Sequence, residues 1–215
     1  MEISFQYSER EEFFNALSHG VGVLLSAVGL VILTANAARL NNIVSIISVA
    51  IYGISMVAMY LMSTLYHAVS HGKAKRLLQV FDHASIYLVI AGGYTPLTLI
   101  LLGGGQRASI LLLIIWSLAI IGIALNIVNL KRFKKTGMAI YLLMGWSALA
   151  EIRNIVTLLG AAGTALFLAG GMAYMIGLIF YKKKSVKYMH SIWHLFVLAG
   201  GILHYLCILK YVIIV

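Results

Sequence analysis

The stretch KRFKKTGMAIYLLMGWSALAEIRNIVTLLGAAG, Lys131 to Gly163, decides how often this chain crosses a bilayer. It opens with Lys131, Arg132, Lys134 and Lys135 and turns apolar from Gly137. Glu151 and Arg153 then interrupt the apolar run near its far end. A helix needs about 20 apolar residues to cross the hydrocarbon core, and only a short uninterrupted run precedes these two charges. Arginine can carry its charge to the headgroups on its aliphatic stem. The stretch is therefore read as a span over 137–157.

Six more apolar runs lie outward of it, at 15–38, 43–69, 79–102, 108–130, 163–181 and 189–213. Backbone groups in lipid must be satisfied within their own segment, and the alternating ten-residue segments of a barrel are absent. The expected fold is all-α, a seven-transmembrane-helix bundle. Residues 1–14 form a cytoplasmic N-terminal tail and 15–215 the membrane domain. Composition agrees: 62% of residues are hydrophobic and 10% charged, where soluble domains carry about a quarter charged. The single cysteine, Cys207, excludes an intrachain disulfide. The N-terminal MEISFQYSEREEFF is acidic where a secretory leader is basic, so the first span is expected to be retained.

The charges test the span count. With seven spans, the tail and the loops 70–78, 131–136 and 182–188 share one side. That side carries Arg10, Lys73, Lys75, Arg76, Lys131, Arg132, Lys134, Lys135, Lys182, Lys183, Lys184 and Lys187. The other side carries Arg39, Arg107 and Lys210. Twelve against three is a strong positive-inside bias, and deleting the fifth span destroys it. The N-terminus is thus expected in the cytoplasm and the C-terminus outside. The net charge of +10 is a topology signal and does not point to nucleic acid.

This topology brings a few polar residues to one depth. His67 ends the second span, Asp82 begins the third, and His190 and His194 begin the seventh, all at the cytoplasmic end. His190 and His194 are four residues apart, hence neighbours on one helical face. Ser63 and His67 share that spacing. Three imidazoles from two helices are a set that zinc accepts, with a fourth position left open. Asp82 is placed to take a proton, and Ser63 to support by hydrogen bonding. A blander reading stands beside this one. Asp82 also suits the positive start of a helix, and buried histidines often serve as hydrogen-bonded core residues. His204, ten residues past His194, lies too deep to share an ion and suits an interhelical hydrogen bond. His19 begins the first span and can approach the site. His83 is expected to point away from the face of Asp82, and His71 to sit in a loop. Pro96 in GGYTP should kink the third span. Small residues in GTALFLAGG and LAGG suit close contact of the sixth and seventh spans.

The motifs NALSHGVG, STLYH, FDHASIY, GGYTPL and HSIWHLFVLAGGILHY together resemble the bacterial hemolysin III family, a branch of the progestin and adipoQ receptor family. The resemblance runs over nearly the whole chain. It implies seven helices with a cytoplasmic N-terminus and a Zn²⁺ ion near the cytoplasmic face. By the same resemblance His67, His190 and His194 match the ligands. Asp82 matches the acid beside a zinc-held water, and Ser63 its accompanying serine. Relatives in the wider superfamily include alkaline ceramidases, which hydrolyse a lipid amide. The bacterial branch is named for red-cell lysis and linked to membrane-lipid homeostasis.

Three functions are therefore in view. The first is a zinc-dependent intramembrane hydrolase of a lipid amide or ester, with membrane lipids as its partners in the plasma membrane. The second is a non-enzymatic sensor or regulator whose zinc pins helices together. The third is a pore-forming cytolysin, which the sequence supports least, because no span carries a polar stripe.

Overall fold

In the computed structural model, which describes residues 7–183 and 185–213, no strand occurs among the described residues. Residues 1–6 of the expected tail and Lys184 of the last basic loop lie outside the described residues. The helices are α1 Glu9–Ala38, α2 Ile43–Ala68, α3 Gly72–Pro96, α4 Gln106–Asn129, α5 Lys134–Trp146, α6 Ile152–Lys182 and α7 Met189–Ile208. Local chemistry sets several of the ends. Ser8 and Glu11 form a reciprocal capping box at the start of α1, so this helix begins inside the stretch expected as tail. The Asn42 side chain accepts from the Val44 N–H at 2.9 Å and caps α2. Pro96 has no N–H to continue the ladder, and there α3 passes into a π turn, Leu97–Leu101.

Six helical runs among the described residues are long and apolar enough to cross a membrane, not the expected seven. The difference lies wholly in Lys134–Lys182, where α5, the 3₁₀ turn Ser147–Glu151 and α6 follow one another without a loop. Sequence reading ended the fifth span at 157 and began the sixth at 163, and no loop separates them in the run. A single residue breaks the run instead. Gly160 has φ 63° and ψ −175°, a conformation essentially confined to glycine.

Contacts along this run change direction at that break. Tyr141 donates to the His83 carbonyl at 2.7 Å, and the Tyr94 hydroxyl bonds the main chain at Met144 and Ala148. Past Gly160, the Gly163 carbonyl meets Cys207 Sγ at 3.5 Å, and the Phe167 carbonyl meets His204 Nε2 at 3.0 Å. Gly177 finally lies against the Trp193 ring. The chain thus leaves the histidine end of the bundle along α3 and returns to it along α7.

The helices pack through small residues. α2 is held between α1 and α3, and α6 pairs with α7. A methyl group added at Gly92 would stand 2.2 Å from Ser55 Oγ, so α2 and α3 touch almost backbone to backbone there. Gly163, Gly170 and Gly177 recur every seventh residue on α6 and receive His204 and Trp193 of α7 and Tyr211 just past its end. This is the close contact expected of the glycine-rich motifs.

Candidate metal centre

His67, His190 and His194 come together, with one ring nitrogen from each within 4.8 Å of the others. Nε2 of His194 lies 3.2 Å from Nε2 of His190. Ligands of a tetrahedral ion at ~2.0–2.1 Å stand roughly this far apart.

Neighbouring groups decide which nitrogen of each ring is free. The Glu12 carboxylate lies 2.5 Å from His67 Nδ1. A carboxylate only accepts, so Nδ1 carries the proton and Nε2 the lone pair. That Nε2 is buried and has no partner. His194 repeats the arrangement, since its Nδ1 lies 3.1 Å from the Asn15 carbonyl oxygen, another pure acceptor. Its Nε2 therefore also offers a lone pair. Two lone pairs near one another, with both Nδ1 atoms anchored, suit a cation. The residues present fit a metal ion.

α1 builds this support. Glu12 also accepts from Lys75 Nζ at 2.6 Å, linking α1, α2 and α3. Asn15 accepts from Ser191 Oγ at 2.6 Å, and Ser18 Oγ lies 3.2 Å from His194 Nδ1. Glu11 accepts from the backbone N–H of Tyr188 at 2.8 Å. Tyr188 has φ 62°, an unusual value for a side-chain-bearing residue, and it starts the helix that carries His190 and His194. Sequence reading missed Glu11 and Glu12, which it assigned to the tail, and Asn15, which it placed at the start of the first span without a role. The signal was present: Glu12, Asn15 and His19 follow each other at three and four residues, on one helical face.

Asp82, Ser63, His190 and His194 line one cavity of about 360 Å³. The Ser63 hydroxyl is buried and forms no hydrogen bond to Asp82 or to a ring. His83 corrects an expectation. Its Nδ1 lies 2.9 Å from the Gln79 carbonyl and 3.4 Å from Asp82 Oδ2. The bond to the preceding turn draws the ring back along the helix, toward the carboxylate, although the two Cβ atoms diverge. His71 is exposed at the start of α3. His204 makes the expected interhelical bond, to the Phe167 carbonyl.

The cavity continues away from the histidines. Along α7 its wall follows one face through His190, His194, Val197, Gly201, His204 and Ile208. That distance is roughly 27 Å at helical rise. Trp146 and Leu149 on one side and Leu168 and Met172 on the other line it and are half-exposed. α5 and α6 hardly touch, which leaves room for an opening between them.

Fold and site define an all-helical, multi-pass membrane protein with three histidines placed where they could hold a metal ion. Comparison with known sequences gives the family. The model of the family described as "Haemolysin-III related" matches residues 7–205, and the chain belongs to that family. It is 41% identical over 204 residues to "Hemolysin-3" of Bacillus cereus, covering 95% of this chain and 93% of that one. It is 42% identical over 207 residues to "Hemolysin-3 homolog" of Bacillus subtilis (strain 168), covering 95% and 96%. A "Monocyte to macrophage differentiation factor" of Homo sapiens is 31% identical over 167 residues, 75% of this chain and 68% of that one. The chain is accordingly a multi-pass protein of the bacterial plasma membrane.

Proposed function

We propose that this protein holds Zn²⁺ on His67, His190 and His194 and hydrolyses a lipid amide or ester, in the service of membrane-lipid homeostasis. One observation carries the reading. A long apolar cavity, lined by half-exposed Trp146, Leu168 and Met172, ends on His190, His194, Asp82 and Ser63, with His67 beside the two histidines. Acyl chains enter such a cavity from lipid, and its histidine end gathers two imidazoles, a carboxylate and a hydroxyl.

A divalent ion held there supplies Lewis acidity toward a carbonyl and a water. Asp82 takes the proton of the attacking water and returns it to the leaving group. Ser63 orients the carbonyl or the water. Glu12 and Asn15 keep the two Nδ1 protons in place.

The proposal includes seven crossings, with the N-terminus cytoplasmic and the C-terminus outside. Lys134–Lys182 then crosses twice and turns at Gly160. The reversal of contacts along that run supports this, as does the gathering of twelve basic residues on one side.

A second reading keeps the zinc and drops the chemistry. The ties from Glu12 and Asn15 to α2, α3 and α7 suit a metal that pins helices in a sensor. Purified protein incubated with acyl-amide and acyl-ester lipids, with and without chelator, decides between the two. Chelator-sensitive release of fatty acid is expected, and its absence across a broad lipid panel favours the sensor.

A further inference from the structure

Away from the three histidines, two buried polar side chains lie side by side without partners, where α3 and α4 meet the start of α5. Asn126 on α4 is 2% exposed and Tyr87 on α3 is 0% exposed. The Asn126 amide nitrogen forms no hydrogen bond, and the Tyr87 hydroxyl forms none. Both meet α5 at Gly137, where a methyl group would stand 2.8 Å from the Tyr87 hydroxyl oxygen and 3.7 Å from Asn126 Oδ1. Both also approach the Tyr141 hydroxyl, outside hydrogen-bonding geometry. That hydroxyl donates to the His83 carbonyl, which leaves its oxygen room for one donor. The amide brings two hydrogens and the phenol one. Buried donors are rarely left unpaired, because each has given up its water. What this corner lacks is an acceptor.

A cationic mouth leads to it. Asn126 and Leu130 of α4 and Lys134, Gly137, Met138 and Tyr141 of α5 all line the cavity. Lys134, Gly137 and Tyr141 follow each other at three and four residues, on one helical face. Lys134 is exposed and Gly137 is buried, so that face passes from the surface to Asn126 within one turn, about 5 Å of rise. No side chain caps α5, and the positive end of the helix adds to the field of Lys134. Donors without an acceptor, behind a positive rim, are arranged for an oxyanion. Leu130 and Met138 make the rest of the corner apolar, which suits an anion that carries hydrocarbon.

We propose that this corner binds the phosphate of an anionic phospholipid. Lys134 meets the charge, Asn126 and Tyr87 donate to the oxygens, and an acyl chain follows Leu130 and Met138. Basic pockets between transmembrane helices hold headgroups in this way. The lipid is wedged between α4 and α5 as a fixed part of the fold and is not a reactant. Nothing in the inference depends on the metal or on hydrolysis.

Dioctanoyl phosphatidylglycerol and dioctanoyl phosphatidylcholine test this, since they share the phosphate and the chains and differ in net charge. Binding of each to the purified protein in a non-ionic detergent is read by native mass spectrometry, with inorganic phosphate titrated as a third arm. The anionic lipid should bind about tenfold more tightly than the zwitterionic one. Lys134→Gln should cut that preference about fivefold, the worth of one lysine near an anionic headgroup. Lys135→Gln, the next residue along but outside the cavity lining, should leave it within about twofold. Asn126→Leu removes the amide at nearly constant volume. Affinity for the anionic lipid should fall about tenfold in that variant, while the lipid-free protein melts no lower, because an unpaired donor has gone. Lys134→Gln, at an exposed position, decides the matter if Asn126→Leu does not fold.

Equal binding of the two lipids by the wild-type protein overturns the proposal. Equal losses in Lys134→Gln and Lys135→Gln do the same, by tracing the preference to diffuse surface charge. An Asn126→Leu variant that keeps full affinity shows that the amide holds only water, which is also fatal. Inorganic phosphate that displaces the lipid at a similar concentration gives the site to the free ion and overturns the lipid assignment.

Discussion

The Glu12 carboxylate faces His67 Nδ1 at 2.5 Å, and His67 Nε2 on the far side of the ring is buried without a partner. A residue outside the apolar spans thus fixes which nitrogen of a deep imidazole is available. Glu12→Gln replaces a pure acceptor with a group that can also donate, and so loosens the tautomer. Metal affinity should fall by roughly 10- to 100-fold, as when other partners of ligating histidines are removed. Competition against a chelator of known affinity measures it. Lys75→Ala, which removes the second partner of Glu12, should have a much smaller effect, because that pair is partly exposed.

Asp82 stands at the same cavity end as His190 and His194. If it moves the proton, Asp82→Asn should slow lipid hydrolysis by about 10²- to 10⁴-fold while metal content stays unchanged. Both quantities come from one preparation. Full activity in the variant would return Asp82 to the role of a helix-start acid.

Gly160 carries a φ of 63° with ψ −175°. Gly160→Ala should lower stability by ~1–3 kcal/mol, the usual penalty for a side chain in such a region. A thermal melt with and without the substitution reads this out. In the seven-crossing proposal the same residue marks the turn between two crossings. Single cysteines at Lys135 and Lys183 should react with a membrane-impermeant reagent from the cytoplasmic side, and one at Ala161 from outside. Labelling of Lys135 and Lys183 from opposite sides would mean a single crossing.

Gly92 lies where a methyl group would stand 2.2 Å from Ser55 Oγ. Gly92→Val should push α2 from α3 and destabilise the protein by ~1–3 kcal/mol, as overpacking does. Because α2 carries His67 and α3 carries Asp82, the variant should also bind metal more weakly. Chemical denaturation and metal analysis check the two effects.

Much of this was legible in the sequence for identifiable reasons. His190 and His194 declared themselves by helical spacing, and the basic loops placed His67 and Asp82 at their depth. The all-helical architecture followed from apolar length, because lipid leaves the backbone no alternative. Glu12 and Asn15 escaped because the first helix was expected to start at residue 15, so their shared helical face with His19 was not followed back to Glu9. The boundary between the fifth and sixth spans was placed around Gly160, but the absence of a loop there was not foreseen, because a single glycine breaks the helix without any polar segment. His83 shows the limit of counting helical angles, since a side-chain bond to Gln79 brings its ring to Asp82.

The most direct test of the central claim is metal analysis of the protein purified from zinc-replete cells, paired with His194→Ala. One zinc per chain is expected in the wild type, and its loss in the variant. A wild-type protein without stoichiometric metal, or a His194→Ala variant that keeps it, would contradict the account.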